Sequence, residues 1–289
     1  MKYCVQYNSR FRHLKEIDEV ILPYEGKGDN LVEFVNETFN KSQRIIIDVA
    51  GSADLNKIVP SIRLLISQGW NMVMLTDFKG ELKEDIPDIP FFFKVFPHSL
   101  EEVTACAVSG ATDVYIVEEL GFRLADLKKI KDIYKINYRV FPNIAQCSKL
   151  AKGFIPSMSK FWIRPEDTSI YENYIDVFEI LGGEDNSRLS VVYEIYKQEQ
   201  WLGDLNTIIL DFKGDNIPNT GMNPHFAEMR INCGRRCMYS ACNLCPQMGL
   251  LASGFNEVGL EVIKPRKKPE RTEEEKQVIL DRLKTKEEE

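Results

Sequence analysis

The chain has 289 residues, 44% of them hydrophobic and 28% charged, with a formal net charge of -7. That length fits one large α/β domain with a small appendage, or two modest domains, and the composition supports a sizeable core. The acidic balance argues against a whole-protein electrostatic footprint for nucleic acid and leaves only local basic patches for that purpose.

Met1 to Arg12 are mixed and polar, without the apolar segment of a signal peptide. No apolar run approaches the roughly 18 residues of a membrane-spanning helix, so a cytoplasmic protein with no membrane partner is expected. Short β-rich apolar runs stand at Tyr3 to Tyr7, Glu19 to Leu22, Ile45 to Ala50, Met72 to Thr76 and Phe91 to Phe96. More stand at Val114 to Val117, Tyr138 to Phe141, Phe161 to Ile163 and Val177 to Leu181. Between them lie helical patterns: Leu31, Val32, Phe34, Val35 and Phe39 on one face, and Leu124, Leu127, Ile130, Ile133 and Tyr134 on another. Leu189, Val192, Ile195 and Tyr196 make a third face. Pro60 interrupts the pattern from Leu55 to Ile66, which places a helix start or a kink there.

Continuous apolar strands alternating with helices predict a parallel sheet covered by helices. The number of units suits a TIM-like (β/α)₈ barrel, with an open doubly wound sheet as the other arrangement. No strand leads into a G-x-G-x-x-G turn and no P-loop is present, which removes the usual dinucleotide and nucleotide sites. The barrel is expected over residues 1–212 and a cysteine-rich segment over 213–260. A charged linker and C-terminal helix complete the chain over 261–289, the helix opening on the capping-box pair Thr272 and Glu275.

Of seven cysteines, Cys4, Cys106 and Cys147 are isolated in apolar stretches and read as core packing. The other four form N-C-G-R-R-C-M-Y-S-A-C-N-L-C-P, in which Cys233, Cys237, Cys242 and Cys245 can surround one point if the backbone wraps tightly. Thiolates at this density select iron–sulfur clusters or zinc. Zinc ribbons pair two Cys-x2-Cys knuckles, and only one occurs here, so a four-iron four-sulfur cluster is the expected cofactor and zinc the alternative. Arg235 and Arg236 would offset a cluster's negative charge. The radical-SAM spacing is not met, and His225 is either a substitute ligand or an ordinary loop histidine.

In a barrel, catalytic residues sit at the carboxyl ends of strands. By pattern Asp48, Asp77, Glu118, Glu119, Arg164, Glu166, Asp167 and Glu179 fall there. Arg164, Glu166, Glu118 and Asp77 are the set expected to act in the mouth, by acid–base work or by capture of a small anionic co-substrate. The competing reading is that strand-end acids cap the next helix in the chain. His98 beside Ser99 has the same ambiguity, since capping by Ser99 explains those letters. His13, His98 and His225 belong to no nucleophile motif.

The stretch G-A-T-D-V-Y-I-V-E-E-L-G-F (Gly110 to Phe122), with Y-R-V-F-P-N-I-A-Q and F-W-I-R-P-E-D after it, resembles the collagenase-like peptidase family. The likeness covers roughly Val103 to Leu181 plus the cysteine run. It implies a barrel with a cluster, as in the members required for hydroxylating RNA or the ubiquinone ring. Two departures stand: the four cysteines are compressed where the family spreads them, and the family's long C-terminal half is missing. The resulting expectation is an iron–sulfur barrel acting as, or assisting, a hydroxylase on an RNA base or small aromatic compound, served by an electron donor. The alternative is a zinc-stabilised adaptor that contacts nucleic acid or protein through Arg235, Arg236 and Lys264 to Lys268. Peptidase activity rests on the family name alone.

Overall fold

The computed structural model describes residues 2–24, 30–49, 55–76, 88–145, 160–183, 186–211, 219, 222 and 225–231. All of them fall in one compact unit, residues 1–254; a second unit, 255–289, lies outside the described residues. So do the expected C-terminal helix, Cys147 and the four clustered cysteines.

Eight strands form one sheet: β1 (Lys2–Gln6), β2 (Glu19–Pro23), β3 (Arg44–Asp48), β4 (Asn71–Thr76), β5 (Phe91–Phe93), β6 (Asp113–Tyr115), β7 (Asn137–Val140) and β8 (Val177–Ile180). The order is β5-β4-β3-β2-β1-β8-β7-β6, and every paired neighbour is parallel. The described helices are α1 (Leu31–Thr38), α2 (Leu55–Ser67), α3 (Leu100–Val108), α4 (Leu124–Tyr134), α5 (Thr168–Tyr171), α6 (Leu189–Lys197) and α7 (Phe226–Ile231).

The sheet is curled, and its interior shows why. Arg44 on β3 and Asp113 on β6 stand 3.3 Å apart. In the hydrogen-bonding order those strands are five steps apart, which in a flat sheet of ~4.8 Å spacing would separate them by roughly 24 Å. The two edges also meet, since Tyr115 N donates to Val95 O at 3.1 Å, just past the end of β5. Among the described residues no ladder joins β5 to β6.

Side chains alternate across the strands as the pleat requires. Tyr3, Val5, Val20, Ile45, Ile47, Met72 and Val114 pack in the large outer core with the helices. Cys4, Ile21, Ile46, Val73, Tyr115 and Val177 form a separate inner cluster. Both faces are therefore buried, which is why the strands read as continuous apolar runs. Cys4 packs as expected; its burial pushes the thiol up.

Three expectations need correction. Phe161–Ile163 is no strand of the sheet, because β7 is already flanked by β6 and β8. The run instead lies past the end of β7, where Ile163 N donates to Pro142 O at 2.9 Å. The helix through Pro60 begins at Leu55 and carries the proline inside it, which removes the start at Pro60 from the two alternatives. Ile133 of α4 is 71% exposed and does not share the face of Leu124. Nine residues at about 100° each turn through roughly 900°, half a turn out of phase.

Candidate functional site

A charged network crosses the sheet interior. Arg139 Nη1 donates to Glu19 Oε2 at 2.7 Å and to Asp113 Oδ1 at 3.3 Å, with Arg139 and Asp113 0% and Glu19 1% exposed. Arg44 adds Nη1 and Nη2 contacts to Asp113 and one to Glu19 Oε1 at 3.4 Å. Burial pushes the Asp113 carboxyl up, but Arg44 and Arg139 outweigh it and hold it below the usual range. A buried charge is tolerable only when paired in this way. Beneath this network, at the amino ends of the strands, a cavity of about 520 Å³ is lined by Lys2, Arg44, Asn71, Thr112, Asp113 and Asn137. The Asp113 oxygens that face it already accept from both arginines and from Thr112 Oγ1, which makes this end a structural cluster.

At the carboxyl ends the composition differs. Glu179 on β8 lies 4.0 Å from Arg139 Nη2 and accepts the Tyr115 hydroxyl at 2.7 Å. Burial raises the Glu179 carboxyl above its ordinary value, against the opposing pull of Arg139 and of the Tyr115 hydrogen bond. The Tyr115 phenol is itself pushed far up, first by burial and then by Glu179, so it stays a donor. Two further rings gather at this pair. Tyr115 and Phe141 stack at 5.1 Å and 18°, and Phe96, 39% exposed, stands 5.0 Å from Tyr115. Lys94, after β5, reaches to 4.0 Å from Asp48 at the end of β3. Asn143 closes the adjacent rim, its amide bonded to both Leu181 O and Leu181 N, which ties the continuation of β7 to the end of β8. A protonatable carboxyl, a lysine and an exposed aromatic face thus share the carboxyl-end mouth. Of these groups the Phe96 face is 39% exposed, while Glu179 is 4% exposed beneath Tyr115.

The residues named from sequence divide. Asp77 and the Glu118 side chain lie outside the described residues. Arg164 and Glu166 are described, and neither faces the sheet interior. Arg164 donates through Nε and Nη2 to Asp167 at 2.6 and 2.7 Å, and its guanidinium lies 5.2 Å from the Phe226 ring. Glu166 Oε1 accepts from Trp201 N at 2.7 Å and from Asn219 Nδ2. Both belong with a satellite core of Ala145, Trp162, Leu205, Ile208, Ile209, Met222 and Phe226, separate from the main one. The cause is the misplaced strand: Phe161–Ile163 runs beside the rim, so Arg164 and Glu166, next in the chain, point into the satellite. Burial pushes the Asp167 carboxyl up in spite of Arg164.

Of the strand-end acids, Asp48 and Glu179 reach the mouth, and Tyr115, Phe96 and Phe141 were missed as site residues. Their letters are those of ordinary core strands, and only stacking at the mouth distinguishes them. Capping explains Ser99, whose hydroxyl accepts from Glu102 N at 3.1 Å while Glu102 accepts from His98 N at 2.7 Å. His225 contacts Glu228 within its own helical turn.

No family model matches the chain, and no curated protein matches it in sequence. Among solved structures, the chain is similar to thiamine phosphate pyrophosphorylase from Pyrococcus furiosus, at 12% identity and a TM-score of 0.38, over 69% of this chain and 97% of that one. No helix among the described residues is long and apolar enough to cross a membrane.

Proposed function

We propose that the chain is a TIM-like iron–sulfur barrel of the reducing cytoplasm, acting as, or assisting, a hydroxylase-type modification enzyme on an RNA base or small aromatic compound. The observation that carries this reading is the mouth, where Phe96 and Phe141 frame Tyr115 above the Glu179 carboxyl. A flat ring can stack there, since ring–ring contact contributes about 0.5–1.5 kcal/mol beyond area burial. Glu179 acts on such a ring through the Tyr115 hydroxyl, and Lys94 supplies a cation for an anionic portion of the substrate or co-substrate.

Cys233, Cys237, Cys242 and Cys245 would hold the cluster, because four thiolates are a complete donor set for it. With every iron bound by cysteine, the cluster would pass electrons from a donor protein. Asp77 and Glu118 stand in this proposal as further acids of the mouth. Arg164 and Glu166 act instead through the segment that leads to the cysteines.

The test is metal analysis and a visible spectrum of protein purified without oxygen. The reading requires a brown protein absorbing near ~400 nm with about four irons per chain. It also requires Phe96→Ala to weaken binding of aromatic substrates while iron content stays constant. A colourless protein with one equivalent of zinc would sink it and favour the adaptor reading.

A further inference from the structure

Four of the parallel strands begin with a polar residue, and the curl of the sheet gathers those starts around one space. Lys2 opens β1, Arg44 opens β3, Asn71 opens β4 and Asn137 opens β7, and all four line the amino-end cavity of about 520 Å³. The shortness of β5 leaves room for it. Phe91–Phe93 pair only with Met74–Thr76, so no described strand flanks Asn71–Val73 on the side away from β3. Among the described residues no ladder joins β5 to β6 either, and the cavity lies in that gap. Val73, Ile89 and Pro90 give it an apolar wall.

The arginine–carboxylate network above this space is structural, but other groups that line it are uncommitted. Asp113 is satisfied by Arg44, Arg139 and Thr112. The side chains of Lys2, Asn71 and Asn137 make no hydrogen bond or ion pair among the described residues. Lys2 and Arg44 are cations and Asp113 is the one acid among the described residues of the lining, so positive charge is in excess. A smaller recess of about 250 Å³ shares Lys2, Arg44 and Asn137 but adds Glu19, Glu172 and Asp176, which reverses the balance on that side. Concave walls with an excess of one sign concentrate ligands of the other, and the two amides supply donors for oxygen atoms. The volume lies within the roughly 300–1,000 Å³ of small-molecule sites.

We propose that the amino-end cavity is a ligand site separate from the mouth, and that it binds a small organic oxyanion, a carboxylate or a phosphate ester on a compact apolar body. The oxyanion belongs with Lys2, Arg44 and the amides of Asn71 and Asn137; the apolar body belongs against Ile89 and Pro90. The site lies at the opposite end of the strands from the mouth and is independent of the reaction proposed there.

The test is titration of the isotopically labelled full chain with benzoate, phenyl phosphate, inorganic phosphate and the neutral benzyl alcohol, read by heteronuclear NMR. Benzoate or phenyl phosphate should shift the side-chain amide signals of Asn71 and Asn137 saturably at millimolar concentration, and the tighter of the two identifies the anion. Benzyl alcohol lacks the charge and inorganic phosphate lacks the apolar body, so each should bind several-fold more weakly. Lys2→Met should weaken the better anion about fivefold, the effect of one nearby charge in a wet site. Asn71→Phe, which fills the space from its rim, should abolish binding. Lys2 and Asn71 are both exposed, so the variants should fold as wild type. The proposal is overturned if neither organic anion moves the two amides, if benzyl alcohol binds as well as benzoate, or if inorganic phosphate binds as well as phenyl phosphate. Wild-type affinity in Lys2→Met overturns it equally. Should Asn71→Phe not fold, Lys2→Met and the comparison of probes decide.

Discussion

Arg139 Nη1 and Glu19 Oε2 meet at 2.7 Å across the inside of the sheet, although β8 and β1 lie between their strands in the hydrogen-bonded order. The contact exists only because the sheet curls, and it locks that curvature. Such a pair contributes little beyond a well-packed apolar pair, yet its disruption leaves a bare charge in a dry interior.

Arg139→Met should therefore destabilise by about 3–5 kcal/mol, since Glu19 and Asp113 both lose a cation. Adding Glu19→Gln should recover part of that loss. Urea unfolding of the two variants measures it. A single variant within about 0.5 kcal/mol of wild type would mean that water enters the network.

Asp113 governs the acid side. Its carboxyl is held low by Arg44 and Arg139, so its stabilising contribution is complete above the ordinary value of 3.8 and is lost as pH falls through the lower folded value. Asp113→Asn should be destabilised near neutrality and should show a shallower loss of stability below pH 3.8 than wild type. Thermal unfolding against pH reads both effects, and parallel curves for the two proteins would contradict the assignment.

Glu179 behaves in the opposite sense. Burial raises its carboxyl, so the protonated form is favoured in the fold, and stability falls as pH rises through the raised folded value. The Tyr115 hydrogen bond works against that rise. Tyr115→Phe should therefore move the Glu179 titration further upward and steepen the loss of stability on its alkaline side. Carbon-detected NMR of the labelled Glu179 carboxyl would track the midpoint, and an unchanged or lower midpoint would refute the coupling.

Gly121 is required for space. A methyl group there would stand 2.4 Å from the Phe161 ring, and Phe161 is fully buried. Gly121→Ala should cost about 1–3 kcal/mol by overpacking. Phe161→Leu in the same chain should relieve part of it. A double-variant cycle with no coupling would show that the turn Glu118–Phe122 moves instead.

Much of the fold was legible in the letters. Runs such as Ile45 to Asp48 and Met72 to Thr76 are apolar on both pleat faces, and amphipathic stretches such as Leu189 to Lys197 separate them. Those are local properties, set by residues a few positions apart, and they predict parallel strands under helices. The ligand role proposed for Cys233, Cys237, Cys242 and Cys245 rests on local spacing in the same sense. Phe161–Ile163 reads like the true strands, but both neighbours of β7 were already taken, and only the sheet's pairing could reveal that. Glu19, Arg44, Asp113 and Arg139 come from four strands and look like ordinary strand charges until the curl brings them within hydrogen-bonding distance. Tyr115 and Glu179, 64 residues apart, came into hydrogen-bonding contact for the same reason. Local pattern decided which segments are strands and helices; curling of the sheet, a long-range event driven by apolar burial, decided which side chains meet.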